Sequence, residues 1–218
     1  MKIAVTANGA WEAEWLANTL NSRRPDLLVA ADGGVLALLA AGRKPDVLIG
    51  DFDSAPPEAV NRCRAEGARV IAFSAEKDAT DLELALSWAD EELRRAGAAE
   101  EILLLGAGGK RMDHLLANVA LMLGFAQRGR RVRMLNPTEE CWVAGPGREE
   151  ITGRAGALLS VLPLSVEAVL SYEGLFYPLC RQILRQNGVR GISNRLLGAK
   201  AAVEVHAGWV LLIRPETG

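Results

Sequence analysis

The chain has 218 residues and a mass of 23.4 kDa, enough for one large domain or two small ones that each bury a core. Half of the residues are hydrophobic and 24% are charged, with 25 Lys and Arg against 27 Asp and Glu. This composition excludes intrinsic disorder, and the near balance of charge excludes a global basic field that would hold nucleic acid.

The cysteines and the apolar runs indicate where the protein works. Cys63, Cys141 and Cys180 are too few and too scattered for a disulfide framework or a zinc site, so we expect buried thiols in a reducing compartment. The N-terminus reaches polar residues and glycine before a signal-peptide core can form, and no apolar run is long enough to span a bilayer. The sequence therefore predicts a soluble, cytoplasmic protein.

The first part of the chain alternates short apolar runs with stretches of helical period. The pattern predicts strands at 3–7, 27–31, 47–49, 69–73, 102–105 and 132–135, and helices at 11–20, 35–41, 57–66, 82–96 and 113–128. The clearest helix is preceded by Thr80, which with Glu83 forms a capping box. Strands that alternate with helices indicate a mostly parallel sheet with helical crossovers.

The pattern changes after about Asn136, where helical periodicity fades. Short apolar segments separated by Gly, Pro and Ser lie at 142–144, 158–162, 168–172, 202–206 and 209–213. Ala207 and Gly208 predict a tight hairpin between the last two. We therefore predict an α/β domain at residues 1–135 and a mainly antiparallel β domain at residues 136–218.

Acidic residues and glycines follow four of the predicted strands in the first domain. In an open α/β sheet, ligands bind beyond the carboxyl ends of the strands, so these residues are expected to converge. They are Asp32, Gly33 and Gly34 after the second strand, Asp51 and Asp53 after the third, Lys77, Asp78, Thr80 and Asp81 after the fourth, and Gly108, Gly109, Lys110, Arg111, Asp113 and His114 after the fifth.

Asp51 and Asp53 are the hardest of these to explain by structure alone. Alternate residues of an extended chain point the same way, and two carboxylates so placed repel unless a cation lies between them. Oxygen-only acidic groups suit Mg²⁺, which prefers carboxylates together with substrate phosphates. The pair therefore predicts a metal site.

The other motifs each have a structural alternative. Asp32 with its two glycines can be a turn, and Asp81 can serve only to complement the dipole of the helix that it opens. The glycines before Lys110 can cradle phosphate or form an ordinary junction, and His114 can be a helix-start histidine. Their convergence favours function, because carboxylates beside basic residues, without a Ser-His or Cys-His pair, are typical of metal-assisted phosphoryl-type transfer.

At these residues the sequence resembles the thiamine pyrophosphokinase family. The resemblance covers nearly the whole chain, through ADGG at 31–34, IGDFDS at 49–54, KDATD at 77–81, GKRMDH at 109–114, NPTE at 136–139, GLFYPL at 174–179 and SN at 193–194. It implies a Rossmann-like α/β domain that binds ATP and Mg²⁺, an antiparallel β-sandwich domain that helps to bind thiamine, and a homodimer with thiamine sites between subunits. The family transfers the pyrophosphoryl group of ATP to thiamine, giving thiamine diphosphate and AMP.

The resemblance also implies roles for individual residues. Asp51, Asp53 and Asp81 would be the catalytic carboxylates that hold Mg²⁺ and pyrophosphate, although which carboxylate takes the hydroxyl proton stays open. Binding of ATP is implied for Asp32, Gly33, Gly34, Lys77, Asp78, Thr80, Lys110, Arg111, Asp113 and His114. Thiamine would be bound by Ser193, Asn194 and Trp209, the last of which can alternatively be core of the final hairpin.

Three residues depart from the family pattern, and three other functions stay open. Lys110, Phe176 and Ile192 stand where the family commonly has Gly, Lys and Thr, so fine specificity is not settled by the sequence. A related hydroxymethyl-pterin pyrophosphokinase would use the same acidic motifs. A phosphatase of the haloacid-dehalogenase type also has Asp-x-Asp after a strand, but the ADGG motif has no place in it. A non-catalytic ATP or thiamine sensor is the third alternative.

Overall fold

The structure is a computed structural model that describes residues 1–109 and 111–215. The chain divides into two compact units, Met1–Leu121 with Arg130–Pro137 and Met122–Gly129 with the residues from Thr138 onward. The helices are α1 (Ala13–Arg23), α2 (Gly34–Ala40), α3 (Pro57–Ala65), α4 (Asp81–Arg95) and α5 (Met112–Gln127). None of these described helices is both long enough and apolar enough to cross a membrane.

The first unit contains parallel strands, as the alternating pattern predicts. They are β1 (Ile3–Thr6), β2 (Leu27–Ala31), β3 (Val47–Gly50), β4 (Arg69–Ala72), β5 (Ile102–Leu105) and β6 (Val132–Asn136). Their spatial order is β6-β5-β1-β2-β3-β4, with every pair parallel. All residues of β1, β3 and β5 are buried, which explains why these strands are continuous apolar runs without alternation.

The strand order of this unit reverses at β1. The chain runs outward from β1 through β2 and β3 to β4, then returns to place β5 and β6 on the other side of β1. Loops on either side of such a reversal leave the sheet in opposite directions and open a crevice at the carboxyl ends of the strands. The first unit therefore has a crevice where the predicted site residues lie.

The second unit contains antiparallel strands, as its short apolar segments predict. They are β7 (Glu139–Ala144), β8 (Gly147–Thr152), β9 (Leu158–Pro163), β10 (Glu167–Glu173), β11 (Leu179–Arg185), β12 (Asn194–Arg195), β13 (Lys200–Ala207) and β14 (Val210–Pro215). β14 pairs with both β7 and β9, and β12 pairs with β9. A separate sheet has the order β11-β10-β13-β8. Apolar residues of both strand groups, such as Trp142, Leu159, Leu170 and Val203, share one core.

The predicted hairpin at Ala207 and Gly208 is wrong. β13 pairs with β10 and β8, whereas β14 pairs with β7 and β9, so the connection carries the chain from one group of strands to the other. Gly208 has a φ of 84°, and a Cβ there would lie 2.6 Å from the carbonyl oxygen of Glu167. At Gly208, a glycine-containing turn between two apolar runs therefore joins two groups of strands and does not form a hairpin.

Two strands of the second unit were not predicted, and one cysteine that was expected to be buried is exposed. β8 and β11 lie at the edges of their sheet, and most of their side chains are exposed, so they lack the alternation of buried apolar and exposed polar residues that predicts a strand. The segment that contains Arg181 and Arg185 forms β11. On this edge strand Cys180 is exposed, whereas Cys63 and Cys141 are buried as expected.

Candidate active site

A cavity of about 830 Å³ lies at the carboxyl ends of the parallel strands, and its size is typical of a small-molecule site. Loops that follow β1 to β5, the first turn of α4 and the first three turns of α5 form its walls. The predicted site residues that line it are Asp32, Asp51, Asp53, Lys77, Thr80, Asp81, Arg111, Asp113 and His114. Lys110 lies outside the described residues. The structure thus brings together side chains from four separate sequence motifs.

Three carboxylates converge at one end of this cavity. Asp32, Asp51 and Asp53 each offer one oxygen, and these three oxygens lie within 4.8 Å of one another. Asp32 is only 8% exposed, and its Oδ1 atom has no hydrogen-bond partner in the part of the chain that the structure describes. A buried oxygen without a partner is costly, and oxygen donors of this kind are the ligands that Mg²⁺ prefers. The three residues can therefore hold Mg²⁺.

Burial and neighbouring charge act together on Asp32. Burial raises the pKa of the Asp32 carboxyl above its ordinary value, hydrogen bonds from the Gly33 N–H and from Ser54 oppose this effect, and the charges of Asp53 and Asp81 add to the rise. A bound cation would lower the pKa of the Asp32 carboxyl, because it favours the ionised form.

The backbone that carries the carboxylates is not extended. The prediction that Asp51 and Asp53 point the same way because they alternate along an extended chain is therefore wrong. β3 ends at Gly50, and Phe52 has a φ of 63°. Asp32 also lies in the left-handed region, with a φ of 44°. Such conformations cost about 1–3 kcal/mol each and are concentrated at functional sites. A left-handed turn, and not strand alternation, therefore brings the carboxylates together.

Lys77 joins two of the acidic residues. Its Nζ atom lies 2.5 Å from Asp51 Oδ2 and 3.1 Å from Asp81 Oδ1, and the three side chains are 15%, 13% and 21% exposed. The hydrogen bond from Lys77 lowers the pKa of Asp51, and the same bond raises the pKa of Lys77. A Cβ on Gly50 would lie 3.0 Å from Asp32 Cβ and 3.3 Å from Asp81 Oδ1. Glycine at this position therefore allows Asp32 and Asp81 to approach each other.

Basic and imidazole groups lie where α5 begins. Arg111 donates to Asp113 through Nε at 3.1 Å and through a terminal nitrogen at 2.5 Å. This fork lowers the pKa of the Asp113 carboxyl to about 2, so Asp113 is ionised throughout the physiological range. His114 is exposed in the first turn of α5. All three side chains are accessible to a ligand in the cavity.

Two buried asparagines hold the glycine loop that follows β5. Asn136 belongs to the NPTE motif but had no predicted role, and Asn118 was not predicted at all. Asn136 Oδ1 accepts from the Gly108 N–H at 3.0 Å, and Asn118 Nδ2 donates to the Ala107 carbonyl oxygen at 2.8 Å. The asparagines are 5% and 9% exposed. A Cβ on Gly108 would overlap the Asn136 amide. A polar residue inside an apolar helical stretch was the available signal for Asn118.

The first unit matches a known family model. Residues 19–134, more than half of the chain, match the model for the catalytic domain of thiamin pyrophosphokinase. The chain belongs to the thiamin pyrophosphokinase family. This match favours that interpretation over the pterin kinase, phosphatase and sensor alternatives.

Relatives from two bacteria are similar over almost the whole chain. A thiamine pyrophosphokinase of Bacillus subtilis strain 168 is 29% identical over 190 residues, which cover 86% of each protein. The crystal structure of thiamine pyrophosphokinase from Bacillus subtilis has a TM-score of 0.86 at 27% identity and covers 100% of both chains. The crystal structure of thiamin pyrophosphokinase from Geobacillus thermodenitrificans has a TM-score of 0.83 at 30% identity, covering 100% of this chain and 99% of that one.

Three described residues that were predicted to bind ATP do not line the cavity. A Cβ on Gly34 would overlap the Thr6 carbonyl group, and one on Gly33 would lie 2.5 Å from Asn8 Nδ2. The two glycines thus have a packing role, since they let the start of α2 approach the end of β1. Asp78 is exposed and is absent from the cavity wall. The expected contacts of Gly33, Gly34 and Asp78 with ATP stay predictions.

The motif residues of the second unit have different environments. Ser193 is exposed and has a φ of 55°. Asn194 is 2% exposed, and its Oδ1 accepts from the N–H groups of Tyr177 and Arg195 at 3.0 and 2.9 Å. Its Nδ2 donates to the Tyr177 carbonyl oxygen at 2.9 Å, so the amide already has protein partners. Trp209 is half-buried, with its ring against the backbone at Gly145.

Proposed function

We propose that this protein transfers the pyrophosphoryl group of ATP to the hydroxyl of thiamine, with thiamine diphosphate and AMP as products. The family match supports the substrates and the reaction type. The observation that carries the proposal is the cavity in which Asp32, Asp51, Asp53 and Asp81 face Lys77 and Arg111. Such a combination of carboxylates and cations is suited to a metal-bound polyphosphate.

Mg²⁺ is the cofactor that we propose for this site, held by Asp32, Asp51 and Asp53 with Asp81 beside them. When bound, it would neutralise charge on the phosphate oxygens during transfer. Lys77 and Arg111 would bind phosphate oxygens directly, because both side chains line the same cavity. Asp113 and His114 would shape the nucleotide pocket, and Gly108 and Gly109, which line the cavity, would let a phosphate approach the backbone of the loop closely.

Thiamine binding is assigned to the second unit. Ser193 is exposed and can contact the aminopyrimidine directly, and Trp209 can offer its half-buried ring. Asn194 would act by holding the backbone of Tyr177, since its amide is already hydrogen-bonded there. Alignment of the alcohol with the β-phosphorus would then supply most of the rate enhancement, because little covalent chemistry is required of the protein.

The proposal also includes the domain architecture and the dimer that the family resemblance implies. They are a Rossmann-like first domain at residues 1–135, a β-sandwich at 136–218 and a homodimer with thiamine sites between subunits. Met112 and Leu116 on α5 are 72% and 63% exposed, and apolar surface of this kind is typical of an interface. The cytoplasmic location expected from the sequence stays a prediction.

A product assay tests the proposed function. Purified protein incubated with Mg-ATP and thiamine should form AMP and thiamine diphosphate in equal amounts, and EDTA should abolish both because the phosphates lose their counter-ion. Replacing thiamine with a hydroxymethyl-pterin serves as the substrate control. Formation of ADP with thiamine monophosphate, or of AMP only with the pterin, would contradict the proposal.

A further inference from the structure

The Lys77 ammonium already occupies carboxylates that suit a metal. It contacts Asp51 at 2.5 Å and Asp81 at 3.1 Å, and Asp51 is also one of the three residues whose oxygens converge within 4.8 Å. Asp32 completes that cluster with a buried Oδ1 that has no hydrogen-bond partner among the described residues. One side chain, Asp51, is therefore shared between an internal cation and the candidate metal site.

Lys77 and Mg²⁺ cannot both bind Asp51 as strongly as either would alone. Mg²⁺ requires oxygen ligands at about 2.0–2.1 Å in near-octahedral geometry, and an ammonium against the same carboxylate competes for it and repels the metal. Lys77 lies in the segment between β4 and α4, and its four-carbon stem lets the ammonium change partners without movement of the helix. The ammonium and the metal are thus expected to weaken each other's binding at Asp51.

We propose that Lys77 competes with Mg²⁺ for Asp51, and that its displacement from Asp51 and Asp81 makes the ammonium available to phosphate. This inference rests on the proposed function. It gives Lys77 opposite effects on two ligands: the side chain weakens binding of the metal alone and strengthens binding of the nucleotide. Free Mg²⁺ would then bind poorly without ATP, whereas Mg²⁺ and ATP together would bind well, because the phosphates supply a new partner for the displaced cation.

The test measures binding to Lys77→Met, whose apolar side chain has a similar length. Without nucleotide, the dissociation constant of MgCl₂ is measured by calorimetry and by the Mg²⁺-dependent rise in Tm, which follows the affinity of the folded state. We expect Mg²⁺ to bind the variant about three- to tenfold more tightly than the wild type, as for loss of one competing, partly screened charge. With Mg²⁺ and α,β-methylene-ATP, we expect nucleotide affinity to fall about tenfold, because a charge-assisted phosphate contact is lost.

Matched variants separate this role from a general effect of charge or folding. Lys44→Met removes an exposed Lys of the same unit, whose ammonium donates to the Glu66 carbonyl oxygen, and should change neither constant. Lys77→Arg keeps the charge and should retain weak Mg²⁺ binding. Lys77→Gln also removes the charge, and it replaces Lys77→Met with the same expected results if that variant does not fold. In EDTA, Lys77→Met should have a lower Tm than the wild type, since Asp51 and Asp81 lose their cation.

Each result for Lys77→Met either supports the inference or overturns it. Tighter Mg²⁺ binding with weaker nucleotide binding in Lys77→Met supports the inference, as does Mg²⁺ binding that becomes measurable only in that variant. Unchanged, weaker or undetectable Mg²⁺ binding in Lys77→Met overturns it, even if the wild type forms AMP and thiamine diphosphate. Failure of the wild type to form these products overturns the proposed function instead, so the two failures are distinguishable.

Discussion

At the scale of single residues, neighbouring carboxylates in this site have different environments. Asp51 accepts a hydrogen bond from Lys77 at 2.5 Å, whereas Asp53 is exposed and accepts from the Ser54 hydroxyl at 2.9 Å. Both were predicted as metal ligands and could not be distinguished from the sequence, because the spacing of two acids does not reveal a lysine that lies 26 residues away. Asp51 and Asp53 are therefore expected to contribute differently to the stability of the fold.

Asn substitutions should separate the catalytic and structural contributions of these two acids. Asp51→Asn and Asp53→Asn should each lower kcat by orders of magnitude, about 10²-fold or more, because a charge that stabilises the transferring phosphates is lost. Asp53→Asn should keep or raise the Tm of the metal-free protein, since repulsion within the cluster is relieved. Asp51→Asn should lower it, because Lys77 loses its main partner.

Steady-state kinetics and thermal unfolding in EDTA check this, with Glu58→Gln as an exposed-charge control on α3. Near-normal turnover in both Asn variants would remove the metal role. Equal shifts of Tm would show that the ion pair with Lys77 contributes nothing measurable.

Ser193 and Asn194 are adjacent in sequence and should behave differently. The buried Asn194 amide makes three hydrogen bonds within the second unit, so Asn194→Ala should reduce the free energy of unfolding by roughly 1–3 kcal/mol. Ser193→Ala should leave stability unchanged and raise KM for thiamine more than KM for ATP. Urea unfolding and kinetics of both variants provide the measurement. A stable Asn194→Ala protein with a raised KM would restore the direct contact implied by the family resemblance.

At the scale of elements, the sequence predicts the buried strands and the helices but misses strands at the edges of a sheet. Every predicted strand and helix of the first 135 residues is present, because buried parallel strands are apolar along their whole length. β8 and β11 escaped prediction since edge strands need few apolar side chains. The crossing at Gly208 was mistaken for a hairpin because a turn residue does not specify which sheet the chain enters next.

The glycine loop shows how elements hold a site in place. Its backbone is fixed by Asn136 at the end of β6 and by Asn118 on α5. Asn136→Ala and Asn118→Ala should raise KM for ATP about tenfold, because a loosened phosphate loop loses its preorganisation. KM for thiamine should change little.

Kinetics with each substrate varied in turn give the comparison, and Gln127→Ala at the exposed end of α5 is the control. A parallel rise in both KM values would indicate a general loss of structure and not a specific role in the loop.

At the scale of the whole molecule, the site of the first unit could be predicted from sequence because it follows a topological rule. Parallel strands end at one edge, so motifs at four strand ends converge whatever their separation in the chain. No such rule relates Ser193 and Trp209 to the ATP site, and a subunit interface is not encoded in local periodicity. The expectation of shared sites therefore comes only from the family resemblance, and it needs its own experiment.

Mixing two inactive variants tests whether each active site draws on two chains. Asp51→Asn disables the first unit, and Ser193→Ala combined with Trp209→Ala disables the second. In a mixed dimer with shared sites, one site carries all the changes and the other carries none. After random exchange of equal amounts, about a quarter of the wild-type activity should return, because half of the dimers are mixed and each has one intact site.

Subunit exchange is confirmed by mass spectrometry of differently tagged chains, and light scattering confirms the dimer itself. Each parent mixed with its own tagged copy controls for residual activity. Sites built within single chains would give no recovery, because every chain in the mixture would then carry a disabled half, and a monomer in light scattering would contradict the shared-site arrangement directly.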